Sequence, residues 1–140
     1  MEALALAIGL LGVAFLGAWH PGGLLLLKRV KPSGGGEGYF AVLITFWGLL
    51  ALHVSEILWC ALMIAGFTAL DGSGAITGGM GNDVAGLIHL AGISFTTLGF
   101  TGQNVQGPLS LLLMFVALGG FMLITWSATF VYTLWEERFR

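Results

Sequence analysis

The sequence predicts an all-α membrane protein: an N-terminal spanning helix, then two spanning helices that flank a short re-entrant one. Three observations carry this. Apolar residues make up 57% of the 140 residues and charged residues 9%, against ~45–50% and ~25% in ordinary soluble domains. The mean hydropathy is +0.96. The apolar residues also fall into three runs long enough to cross a bilayer and a fourth that is too short. The length fits one domain. So few charges cannot cover a soluble globule, which argues against a soluble enzyme and against a disordered chain. A net charge of −2, with five Lys and Arg in all, leaves no basic face for nucleic acid.

The first run covers residues 4–27 and is broken by His20-Pro21-Gly22-Gly23. Residues 1–27 read as one spanning helix, kinked or ended near Pro21, because a proline is tolerated when neighbours satisfy the freed carbonyl. A cleaved signal peptide would need a basic start, and Glu2 is the charge there. His20 is expected at the membrane boundary. Residues 28–38 read as a flexible loop. It holds Lys28, Arg29 and Lys31 and the run Gly34-Gly35-Gly36. The glycines lack the Gly-Lys-Ser/Thr ending of a phosphate-binding loop. Three of the five cationic side chains sit in this loop. The positive-inside rule therefore predicts a multi-pass protein of the cell membrane, with the N-terminus outside and this loop in the cytoplasm.

The second run, residues 39–70, is longer than one crossing and can tilt. Its Cys60 stands alone, so no disulfide within the chain is possible and no zinc set has workable spacing. Residues 71–83 are polar, rich in glycine and free of Lys and Arg. The short run that follows is expected as a buried or re-entrant helix over 83–97, with Asn82 or Asp83 at its start. Residues 101–108 are polar again. The last run, 109–135, is long enough to cross and ends in Glu136-Glu137-Arg138. The basic loop and the C-terminus then share the cytoplasmic side.

Non-helical backbone at membrane depth survives only where it lines a wet cavity or is buried in protein. Main-chain carbonyls there can replace an ion's hydration shell. The candidate segment is Thr96-Thr97-Leu98-Gly99-Phe100-Thr101-Gly102. It resembles the pore loop of the potassium channel superfamily, whose filter reads Thr-(Val/Ile/Leu)-Gly-(Tyr/Phe)-Gly. It is most similar to the small bacterial two-transmembrane ion channels. Those proteins also carry a His-x-x-Glu-Ile run in the outer helix and Trp-Ser-(Ala/Thr) in the inner helix. Here these are His53-Val54-Ser55-Glu56-Ile57 and Trp126-Ser127-Ala128. The likeness covers about residues 52–135, and the first helix lies outside it.

The resemblance implies a pore domain over 39–140. Within it, 39–70 is the outer helix, 83–97 the pore helix, 97–101 the filter and 109–135 the inner helix. It implies a homotetramer in the bilayer, with K⁺ held at Thr97, Leu98, Gly99 and Phe100 and no other cofactor. Gly119 lies 20 residues past Gly99, near where the superfamily often has a hinge glycine. One departure is plain: Thr101 stands where the family has its second filter glycine, unless Gly102 takes that place after an insertion. The usual acid after it is missing, with Gly102 or Gln103 there instead. Glycine adopts positive φ without a Cβ penalty, and a β-branched residue does not. A non-selective or non-conducting relative of the channel fold, acting as a scaffold or accessory subunit, is the alternative reading.

His53 and Glu56 are three apart on one helix, so their side chains can meet. Pairing favours His53 as the cation and Glu56 as the anion. The pair reads either as a clasp that fixes helix packing or as a proton- or cation-sensing gate that touches Trp126 or Ser127. Two ligands per chain are too few for a metal unless a tetramer brings four together. A membrane enzyme or proton-coupled transporter built on this pair ranks last, because no nucleophile–base set and no cofactor motif accompany it. His89 is expected in a hydrogen-bonded structural role. Trp19, Trp47 and Trp135 are expected as interfacial anchors.

Overall fold

The computed structural model describes residues 1–30, 38–99 and 102–139. The elements run α1 (Glu2–Val30), α2 (Gly38–Thr68), β1 (Ala75–Gly78), α3 (Val84–Phe95), β2 (Gln103–Gln106) and α4 (Leu109–Phe139). Helices α1, α2 and α4 are long and apolar enough to cross a membrane, and α3 is not. The fold is that of an all-α membrane protein. In a bilayer only a helix or a closed barrel satisfies its own backbone, which is why each of the three long apolar runs forms a helix.

Helix α1 differs from expectation in two ways. It continues through Pro21 without ending, and it takes in Lys28 and Arg29 in its last turn. These two cations complement the negative end of the helix dipole, so the helix runs past residue 27 into what the sequence suggested was loop. Lys31 and Gly34 to Gly36 lie outside the described residues. Helix α4 likewise runs past residue 135 to Phe139, whereas α2 ends at Thr68.

α1 lies along α4, and α3 fills the angle between α2 and α4. Small residues let α1 sit close: Gly9 faces the ring of Phe115 and Gly12 faces Met63. The main core joins Leu16 of α1, Ile64 and Phe67 of α2, Leu90 and Phe95 of α3, and Leu112 and Val116 of α4. A smaller apolar cluster, Leu24 with Leu49 and Leu52, lies toward the other end. The sequence did not foreshadow β1 and β2. They pair antiparallel, from Ala75 opposite Gln106 to Gly78 opposite Gln103. The segments before and after α3 are thereby tied together, so the chain enters and leaves α3 at one end of the bundle. The side chain of Met1 approaches Gly72 at that same end.

Candidate functional site

Helix α3 starts where Asp83 accepts a hydrogen bond from the Gly86 N–H at 2.8 Å, a standard N-cap. Its other end is a Schellman turn. The Thr97 N–H donates to the Ser94 carbonyl at 3.0 Å and the Leu98 N–H to the Ile93 carbonyl at 3.1 Å. Thr97 takes the left-handed position, with φ 57°, where glycine is usual. A β-branched residue there is a strained outlier. Gly99 is left-handed too, at φ 64°, while Leu98 between them is not. The hydroxyl of Thr96 is spent on its own helix, on the Gly92 carbonyl at 2.8 Å. Leu98 is 71% exposed, and open space surrounds the Gly99 Cα. Phe100 and Thr101 lie outside the described residues.

Gln103 fastens the far flank of this turn. Its side-chain amide donates to the carbonyls of Gly81 (2.9 Å) and Gly86 (3.3 Å). Its carbonyl oxygen lies 3.2 Å from His89 Nδ1. The return strand β2 is thus bolted to the first half of α3, and His89 has the hydrogen-bonded structural place the sequence suggested.

Next to the C-terminal end of α3 lies a closed ring of polar side chains. His20 Nδ1 is 2.7 Å from Glu56 Oε1 and His53 Nδ1 is 2.8 Å from Glu56 Oε2. On the opposite side of the rings, Ser127 Oγ is 3.0 Å from His53 Nε2 and 3.3 Å from His20 Nε2. His20 and Glu56 have no exposed side-chain surface, and His53 is 20% exposed. The exposed edge of His53 opens into an apolar groove of about 230 Å³ lined by Phe46, Leu50, Ile124 and Val131. The indole of Trp126 packs on His20, with ring centroids 5.6 Å apart. Each carboxylate oxygen serves one imidazole at hydrogen-bond distance.

His53, Glu56 and Ser127 therefore meet, whereas Trp126 reaches the ring through His20. Gly119 does not join them. It faces Val13 of α1, where a Cβ would lie 3.0 Å from a methyl group. Its neighbour Gly120 is the tighter site, because a Cβ there would overlap the Phe95 carbonyl. Sequence reasoning also missed His20 as a member of the ring, where its side chain is fully buried. The signal was present: Leu16, His20 and Leu24 are spaced by four, and all three are buried. Trp19 faces α2, where its indole N–H donates to Ser55 Oγ at 3.2 Å.

No family model, curated protein or solved structure matches this chain.

Proposed function

We propose that four copies of this chain form a cation-conducting pore of the potassium-channel type, with Thr96 to Thr101 as the filter. The observation that carries this reading is the handedness at the end of α3. In an extended strand successive groups point to opposite sides. Left-handed residues at Thr97 and Gly99, alternating with Leu98, break that pattern, and in this reading they turn successive carbonyls toward one side. A row of carbonyls on one side is what replaces the hydration shell of a dehydrated cation. The strain at Thr97, of ~1–3 kcal/mol, persists where surrounding structure over-determines it and is characteristic of functional sites.

In this reading the carbonyls of Thr97, Leu98, Gly99 and Phe100, with the Thr97 hydroxyl, hold K⁺ or another monovalent cation. The C-terminal dipole of α3 favours positive charge at the same place. The exposed Leu98 and the open space at Gly99 are where neighbouring copies close the ring. The cations Lys28 and Arg29 at the end of α1 favour a cytoplasmic position for that end and an outside N-terminus. A non-conducting relative is the second reading, and Thr101 in the second glycine position is what favours it.

Native mass spectrometry from nanodiscs tests the assembly. The pore reading expects four copies, and a tetramer whose melting temperature rises with K⁺. A monomer in lipid overturns it. A tetramer indifferent to K⁺ and Na⁺ supports the non-conducting relative.

A further inference from the structure

The polar ring has a proton inventory that its geometry fixes. An ionised carboxylate only accepts hydrogen bonds, so Glu56 requires a proton on Nδ1 of both His20 and His53. Their Nε2 atoms then converge on a single hydroxyl, that of Ser127. With both imidazoles neutral, one hydroxyl proton faces two lone pairs and one acceptor goes unserved. The ring also carries a net charge of −1 inside the membrane, which is costly. With both imidazoles charged, two N–H groups crowd one oxygen and the net charge is +1. One added proton resolves both problems. The imidazolium Nε2–H donates to Ser127 Oγ, and the Ser127 O–H donates to the other Nε2. Every polar group is paired and the net charge is zero.

We propose that His20, His53, Glu56 and Ser127 form a binding site for a single proton, which Ser127 relays between the two imidazoles. The transfer balances without any other reactant. His53 Nε2 gives its proton to Ser127 Oγ while the Ser127 O–H proton passes to His20 Nε2. The positive charge moves from α2 to α1 and the hydroxyl is regenerated. The two placements differ in access: His53 reaches the groove between α2 and α4, whereas His20 is enclosed. The proton therefore enters at His53 and is stored across the interface of α1 with α4. Among the described residues, the other groups that face the ring do not compete for this proton. Helix α3 presents Phe95 and α4 presents Trp126. Helix α2 adds Cys60 one turn beyond Glu56, buried in the main core. The cations of α1, Lys28 and Arg29, are exposed two turns beyond His20. The site is independent of whether the protein conducts ions.

Nitrogen-15 NMR of the full chain in lipid nanodiscs tests the proposal directly. The chain has three histidines, so His89 serves as the internal reference. The expected result is that His20 and His53 titrate together, taking up one proton between them, with both Nε2 shifts intermediate and moving in step. Ser127→Ala should uncouple them into two separate curves, and Ser127→Thr, which keeps a hydroxyl, should restore the joint transition. Independent titration of the two rings in the unaltered protein overturns the proposal. So does a spectrum in which both stay neutral wherever the protein is folded, or a joint transition that survives Ser127→Ala.

Discussion

The imidazole of His53 stands edge-on to the ring of Phe95, with centroids 5.9 Å apart. Phe95 is the last residue of α3 and is fully buried. Two residues later the chain enters the left-handed turn at Thr97. The polar ring and the carbonyl-bearing turn are thus neighbours through one aromatic side chain.

Gly120 is the point where α4 comes closest to the end of α3. A Cβ there overlaps the Phe95 carbonyl, and backbone cannot yield as a flexible side chain does. Gly120→Ala is expected to cost ~1–3 kcal/mol as an overpacked site. Gly119→Ala meets the Val13 side chain first, at 3.0 Å, and should cost less. Melting curves of the two variants in the same detergent check the order.

Thr97 holds φ 57° where glycine is unstrained. Thr97→Gly is expected to raise stability by about 1 kcal/mol through relief of that strain. In the pore reading it also removes a coordinating hydroxyl, so ion discrimination should fall while the melting temperature rises. Stability and flux measured on the same preparation check the opposing signs.

Glu56 is the common acceptor of two imidazole N–H groups, that of His20 buried and that of His53 part-buried. Glu56→Leu leaves both without a partner, and breaking a buried charge pair in this way costs ~3–5 kcal/mol. Glu56→Gln keeps one acceptor and should be milder. Thermal unfolding followed by circular dichroism separates the two, with His89→Ala as a reference outside the ring.

Gln103 makes three contacts that tie β2 to α3 and the loop before it. Gln103→Leu preserves bulk but leaves the Gly81 carbonyl and His89 short of a partner and removes the second bond to the Gly86 carbonyl. The expected cost is ~1–3 kcal/mol for such unpaired groups. Hydrogen exchange should rise first at residues 75–78 and 103–106, while the core of α4 stays protected.

The membrane helices were legible because a bilayer imposes length and apolarity on any chain that crosses it. The start of α3 was legible at Asp83 for a local reason, its side chain reaching the Gly86 N–H. The pairing of His53 with Glu56 followed from helix spacing. Other features depend on contacts far apart in the chain. His20 lies next to Pro21-Gly22-Gly23, which locally suggests a helix end. Only packing against α2 and α4 carries the helix onward. Strands β1 and β2 are four residues each with no sustained alternation. They pair because α3 folds back and brings them together. The left-handed Thr97 was hidden for the opposite reason: its residue type argues against the conformation it holds.

The most direct test of the pore is flux into liposomes that contain the purified protein, K⁺ measured against Na⁺, with Gly99→Ala as control. The account predicts cation flux that Gly99→Ala abolishes, because a left-handed Gly99 tolerates no Cβ without strain. K⁺ well above Na⁺ would mean that the filter works with Thr101 in place, and equal fluxes would mean a relaxed outer filter. No cation flux from an intact tetramer across pH would contradict the account.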